Sequence, residues 1–269
     1  MIISDFSFSF LGKTINSYGL MVMIGVLFGV LLIILLSRKY AVDSFNAVAF
    51  FALSGVGAAI GAKILYIIVT FSQIMEDAKL LSSYQLIVKY LTNGFVFYGG
   101  LIGAWIGLLI CCRLFKENTD GMIAAVMPGF IVFAGMGRIG CSLVGCCHGI
   151  ETESSWFYFM YTNSQLAPNN LPLIPVQAME ALLDFIIAAV LVCVINRSRF
   201  RDYGMYFYLT VYSVFRFIIE FFRGDELRGS LGAFSSSQWI SIALLIFTLI
   251  LLIVKIRREK GKGHESLLR

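Results

Sequence analysis

From residue 18 onward the chain is a series of long apolar runs separated by short charged breaks. The runs occupy roughly 18–37, 45–69, 95–114, 121–137, 176–196, 203–222 and 238–256. A helix needs about 20 such residues to cross a hydrocarbon core of ~30 Å. The pattern therefore predicts an all-α, polytopic membrane protein with about seven transmembrane helices. The fourth run is short and rich in glycine, so a broken or bent end is expected there. Ahead of the first run, residues 6–10 alternate between Phe and Ser, which predicts an extended interfacial segment.

The charged breaks orient these spans. Arg38, Lys39, Arg113, Lys116, Arg197, Arg199, Arg201, Lys255, Arg257, Arg258, Lys260, Lys262 and Arg269 fall on one side, thirteen in all. Lys13, Lys79, Lys89, Arg138, Arg223 and Arg228, six in all, fall on the other. The positive-inside rule then predicts an outer N-terminus and a cytoplasmic C-terminus. Residues 1–256 read as a single membrane-embedded domain with outward-facing loops near 70–94 and 138–175. Residues 257–269 read as a basic cytoplasmic tail beside anionic lipid. Long loops tend to carry function, so chemistry is expected on the outer side.

Composition supports the same class. Hydrophobic residues make up 59% of the chain and charged residues 14%, with a mean hydropathy of +0.85. A soluble domain carries about 25% charged residues. The net charge of +5 is split into short clusters and forms no nucleic-acid-binding face. The N-terminus lacks a basic start and holds Asp5, unlike a cleavable signal. No internal repeat is evident, which disfavours an inverted-repeat transporter.

Several polar residues sit where burial in lipid is costly, at about 2.5–3.5 kcal/mol per charge near mid-bilayer. Arg216, Glu220 and Arg223 are spaced to share one helical face. They read either as a structural ion pair or as a site for an anionic head group, since a guanidinium fork fits phosphate. Glu180 opens the fifth run. Lys63 reads either as a snorkelling lysine or as part of the same cavity. Gly103 and Gly107 suit close helix packing, whereas Gly137-Arg138-Ile139-Gly140 suggests a backbone nest with a cation for an anion. Cys141, Cys146, Cys147 and His148 have no standard zinc spacing. Packing, a disulfide and a metal site all stay open for them, although neither a metal nor another cofactor is expected.

These residues together resemble the bacterial prolipoprotein diacylglyceryl transferases along nearly the whole chain. Tyr18-Gly-Leu-Met21 opens the first span as in that family. Tyr98-Gly99-Gly100-Leu-Ile-Gly103 is similar to its His-Gly-Gly-Leu-Ile-Gly segment. Gly137-Arg138-Ile139-Gly140 is similar to the start of its signature, Pro175-Val-Gln177-Ala-Met-Glu180 to its Pro-Ser-Gln-Leu-Tyr-Glu, and Phe215-Arg216 with Glu220 to Arg223 to its Arg/Glu helix. The resemblance implies transfer of a diacylglyceryl group from phosphatidylglycerol to the lipobox cysteine thiol of a preprolipoprotein, in the bacterial inner membrane, with release of glycerol phosphate. It implies that Arg138 holds the lipid's phosphate or glycerol region, that Arg216 stabilises the leaving phosphate, and that Glu220 orients Arg216. It places Tyr18, Tyr98, Gly99, Gly100, Gly137, Gly140, Gln177, Glu180 and Arg223 around the substrate. Tyr98 replaces the family's histidine, Cys141 its signature asparagine, and Cys146 its acidic residue. A transferase with another acceptor and a non-catalytic lipid-binding or transport protein are the rival readings.

Overall fold

The computed structural model describes the chain except for residues 4–6, 11–12, 80–81, 93, 95, 116–118, 155, 196–200, 225–229, 232–233 and 268–269. The described residues are mostly helical. Helices α1 (Ser17–Lys39), α2 (Ser44–Val69), α3 (Phe71–Asp77), α4 (Ser83–Thr92) and α5 (Phe97–Phe115) come first. Helices α6 (Thr119–Val144), α7 (Val176–Ile195), α8 (Gly204–Ile219) and α9 (Ser236–Leu267) follow. Six helical segments are long and apolar enough to cross a membrane: Ser17–Lys39, Ser44–Val69, Asp120–Val144, Val176–Cys193, Gly204–Phe222 and Ser236–Arg257. Large apolar side chains on their outer faces, among them Leu27, Phe28, Ile60, Ile186 and Ile250, are exposed, as expected of surfaces solvated by lipid. The chain is thus an all-α polytopic membrane protein.

The fourth run differs from expectation. The helix does not break at residue 137 but continues to Val144, so Gly137-Arg138-Ile139-Gly140 is helical and forms no nest. The glycines serve approach instead. A Cβ on Gly135 would lie 3.2 Å from Asp184 Cβ on α7, and one on Gly140 would lie 3.0 Å from the Tyr18 ring on α1. Gly137 has open space. Residues 70–94, expected as a loop, hold α3 and α4.

The chain divides into two compact units, Ile33–Val126 and Met1–Leu32 with Met127–Arg269. In the first, α2 and α5 touch backbone to backbone. A Cβ on Gly61 would strike the carbonyl oxygen of Gly99 and lie 2.9 Å from Gly103 Cα. Gly57 and Gly103 face each other in the same way. This is the small-residue helix contact that association in lipid relies on. Asp43 caps α2, accepting a hydrogen bond from the Asn46 amide at 2.8 Å. Lys63 reaches the end of a neighbouring helix. Its Nζ donates to the carbonyls of Tyr90 (3.2 Å) and Gly94 (2.9 Å) at the end of α4, where a cation meets the helix's negative pole.

In the second unit, β1 (Ile2–Ile3) pairs in parallel with β4 (Phe159–Tyr161), which pairs antiparallel with β5 (Pro172–Leu173). Ile3, Tyr161, Ala167 and Leu173 form the core of this small sheet. The extended N-terminal segment appears as β2 (Ser7–Phe10), antiparallel to β3 (Lys13–Asn16). The sheet packs over the end of α6. Tyr161 donates its hydroxyl to the Ser142 carbonyl at 2.9 Å, and Ser164 Oγ donates to the Val144 carbonyl at 2.9 Å.

The α2–α5 contact yields a paired prediction. Gly61→Ala places a methyl against backbone that cannot yield, so it should cost about 1–3 kcal/mol. Gly55→Ala on the same helix meets nothing within 4 Å and should be neutral or stabilising by up to about 1 kcal/mol through helix propensity. Thermal unfolding of the detergent-solubilised protein distinguishes them. Equal midpoints for the two variants would contradict the packing argument.

Candidate active site

Helices α6, α7 and α8 each bring charge to one place in the second unit. Glu180, in the first turns of α7, stands at the centre. Its Oε2 lies 3.2 Å from Arg138 Nη1 on α6, and its Oε1 accepts a hydrogen bond from Arg216 Nη1 on α8 at 3.1 Å. Arg216 Nη2 reaches Glu220 Oε2 at 2.7 Å, one helical turn on. At Glu220 the α-helix tightens into a 3-10 turn (Glu220–Phe222). The next residue, Arg223, then swings its guanidinium to 3.6 Å from Glu180 and 3.9 Å from Glu220. Arg138 and Arg216, from different helices, thus share the carboxylate of Glu180.

Burial makes this network consequential. The side chains of Glu180, Glu220 and Arg223 are 4%, 5% and 2% exposed, and Arg216 is 10% exposed, whereas Arg138 keeps 22%. Three guanidinium groups meet two carboxylates, which leaves one positive charge in the ion-paired set. Glu180 Oε2 and Glu220 Oε2 have charge contacts but no well-directed hydrogen bond.

The start of α9 supports the site. Ser235 Oγ accepts from the Gln238 amide at 3.2 Å and Gln238 Oε1 accepts from the Ser235 amide at 2.9 Å, which forms a capping box. The same Ser235 hydroxyl donates to Glu220 Oε1 at 2.9 Å, and Ser237 Oγ accepts from Arg216 Nη2 at 3.3 Å. These serines have only the Ser-x-x-Gln cap as a sequence signal, and the sequence analysis did not single them out. It also passed over Asp184, a buried carboxyl one turn beyond Glu180 whose Oδ1 has no hydrogen-bond partner among the described residues. A second acid at i+4 in an apolar helix was the available signal.

The other expected residues are placed as follows. Gln177, 1% exposed, donates its amide to the Cys146 carbonyl at 2.9 Å and so holds a turn. Tyr18 packs on Gly140 within electrostatic reach of Arg138 and the three neighbouring cysteines. Gly99 and Gly100 lie in the other unit. The face of Gly99 is taken by Gly61 and Leu65, and the side chain of Tyr98 lies outside the described residues. Beside Met179 and Phe222, a shallow hollow of about 230 Å³ is lined by Thr152, Ser154, Phe157 and Ile174.

Past the end of α6, Gly145 (φ +83°) and Cys147 (φ +60°) take the left-handed conformation. The sulfurs of Cys141, Cys146 and Cys147, all thiols, come within 4.8 Å of one another. Hydrogen bonds from Cys141 and Cys146, and then Arg223, hold the Cys147 thiol below the ordinary range. The same sulfur hydrogen bonds, with burial, push Cys146 up. His148 Nδ1 lies 3.0 Å from the Gly149 carbonyl. A carbonyl only accepts, so Nδ1 carries the proton in this contact.

The model of the prolipoprotein diacylglyceryl transferase family matches residues 6–254. A phosphatidylglycerol–prolipoprotein diacylglyceryl transferase of Clostridium perfringens is 37% identical over 258 residues, covering 94% of this chain and 96% of the relative. One from Clostridium tetani is 35% identical over 241 residues, covering 89% and 92%. One from Dehalococcoides mccartyi is 28% identical over 258 residues, covering 94% of each.

The ion-pair geometry predicts an asymmetry. Glu180→Leu leaves three guanidiniums facing one carboxylate and should cost about 3–5 kcal/mol. Arg138→Met, which leaves Glu180 with two cationic partners, should cost clearly less. Unfolding midpoints in detergent measure both. A larger loss for Arg138→Met would remove Glu180 from the centre of the network.

Proposed function

Since the chain belongs to the prolipoprotein diacylglyceryl transferase family, we propose that it transfers a diacylglyceryl group from phosphatidylglycerol to the lipobox cysteine thiol of a preprolipoprotein. In that reaction the thiol sulfur forms a bond to the glyceryl carbon next to phosphate. The carbon–oxygen bond breaks, and glycerol phosphate leaves with an added negative charge. The observation that carries this reading is the convergence of Arg138, Arg216 and Arg223 on two carboxylates, with one positive charge left over. Phosphatidylglycerol brings one negative charge, which matches that excess. Preorganised cations in a water-poor site stabilise developing phosphate charge most effectively.

Burial supports the following roles. Arg138, the most exposed of the five charged groups, takes the lipid phosphate first. Arg216 meets the leaving oxygen, and Glu220 orients Arg216 across one helical turn. Glu180 holds all three cations in place until phosphate arrives. Tyr18, beside Arg138, and the hollow near Met179 and Phe222 offer flanking contacts for the lipid or the signal peptide.

We further propose that α5 completes seven spans, that residues 1–256 act as the transferase domain with 257–269 as a cytoplasmic tail, and that the N-terminus faces outward in the inner membrane. The count of lysine and arginine in the connections supports this orientation.

Arg138→Ala and Arg216→Ala should each lower glycerol phosphate release from phosphatidylglycerol plus a lipobox peptide by at least about a hundred-fold, with membrane insertion retained. Normal rates in either variant would contradict the assigned roles. The replacements Tyr98, Cys141 and Cys146 favour one competing reading, a different acceptor. Expression in a strain depleted of its own transferase separates the two: rescue of lipoprotein modification supports the lipobox acceptor, and failure with intact expression supports another. Reporter fusions after residue 200 and at the C-terminus should both report a cytoplasmic location.

A further inference from the structure

The arginine cluster answers the leaving group but leaves the nucleophile unexplained. The acceptor thiol must become a thiolate, yet the two carboxylates in the ion-paired network are already engaged. Glu180 contacts three guanidiniums, and Glu220 contacts two and accepts from Ser235. What lies next to the cluster is a set of thiols. Cys141 follows Arg138 by three residues on α6, and Arg223 hydrogen-bonds Cys147.

We infer that Cys141, Cys146 and Cys147 form a three-thiolate site for a soft cation of the zinc class, whose fourth position receives the acceptor cysteine. The inference rests on the transferase reading for the acceptor's identity, but the ion site itself does not.

Three observations carry it. The first is convergence: the three sulfurs lie within 4.8 Å of one another. Ligands at about 2.3 Å from one tetrahedral zinc sit roughly 3.8 Å apart, so closing onto an ion takes about an ångström of movement. Adjacent cysteines normally chelate poorly, but here Cys147 adopts φ +60°, and the cost of that conformation in a non-glycine residue accompanies a sulfur turned back toward its neighbours.

The second is preorganisation. The turn bearing the cysteines is held at three consecutive alternate carbonyls. Ser142 accepts from Tyr161, Val144 from Ser164, and Cys146 from Gln177, each at 2.9 Å. Ser142 and Val144 belong to the last turn of α6, whose carbonyls would otherwise lack partners, and Cys146 lies in the turn beyond it. Gly145 at φ +83° fits only because it has no side chain, since a Cβ would lie 2.5 Å from Ser164 Oγ and 2.9 Å from Ala167 Cβ. Backbone pairing of Ile150 with Phe222 (2.9 Å) and of Gly224 with His148 (3.0 Å) fixes Arg223 alongside.

The third is chemical fit. Thiolates select soft ions, and three protein ligands with an open fourth position are the pattern of catalytic rather than structural zinc. Three thiolates and a dication carry one net negative charge, beside the Arg223 guanidinium. When the acceptor thiol binds the ion, its S–H proton passes to water and a sulfur–metal bond forms. The metal-held sulfur then donates an electron pair to the glyceryl carbon. The carbon–oxygen bond breaks, and its electron pair leaves on glycerol phosphate. The resulting thioether, a weaker ligand, dissociates. No oxidant or reductant is consumed.

The test begins with metal content. Full-length protein purified in detergent without chelators should contain about one zinc per chain. Cys141→Ser and Cys147→Ser should lose it, while Cys193→Ser, on the exposed face of α7, should retain it. Cobalt-substituted protein should show a sulfur-to-metal charge-transfer band that the Cys147→Ser variant lacks, even if that variant is less stable. Absence of zinc after incubation with micromolar zinc, or an intact mass lighter by two hydrogens through a disulfide, overturns the inference. Chelator-stripped protein should still bind phosphatidylglycerol vesicles but release no glycerol phosphate until zinc is restored. Full release by metal-free protein overturns the inference and leaves the transferase reading standing. Stoichiometric zinc without release to any acceptor thiol overturns the transferase reading and the acceptor role, and leaves only the thiolate site.

Discussion

A single carboxylate, Glu180, organises the charged interior of this protein. Three guanidinium groups, from α6, α8 and the turn after α8, lie within 3.1–3.6 Å of its two oxygens. Each buried guanidinium taken alone would carry an uncompensated desolvation cost. Together with Glu220 the set becomes tolerable, and it fixes how the three elements approach one another. Two carboxylates face three cations, and Glu180 Oε2 and Glu220 Oε2 have charge contacts without a well-directed hydrogen bond.

The surrounding structure is arranged to protect that imbalance. Gly135 lets α7 approach α6, and Gly140 admits Tyr18. The α9 capping box spends its serine twice, once on its own helix and once on Glu220. The small sheet formed by the N-terminus and the 145–175 segment closes over the end of α6 and holds the cysteine turn by its carbonyls. Here chain termini and loops, elements that usually tolerate change, are bound to buried polar groups. The cations thus come from α6, α8 and the turn after α8, and the three sulfurs from α6 and the turn that follows it.

The paired α2 and α5 follow a different physical rule. Their contact depends on the absence of side chains, with glycine carbonyls lying where a methyl would need to be. In lipid there is no hydrophobic gain from bringing helices together, so close backbone approach supplies the attraction. Lys63 shows how such a pair also accommodates a charge, by directing it to the carbonyl end of a neighbouring short helix.

Periodicity and charge distribution were enough to establish the helical membrane class and to single out Arg138, Glu180, Arg216, Glu220 and Arg223 as candidates. The i,i+4 and i,i+3 spacings placed the last three on one face before any coordinates, because helix geometry is local. Three things were not legible. The glycines near Arg138 read as a break, yet the helix runs on to Val144, since glycine's helix cost is small beside the packing it permits. The partner of Gln177, the carbonyl of Cys146, was not legible either, because it lies far along the chain. Nor was the approach of the three cysteine sulfurs, which accompanies the left-handed turn at Cys147. Spans and faces are properties of neighbouring residues along the chain. Which charge meets which, and where a thiol points, depends on segments far apart in sequence, and only folding decides it.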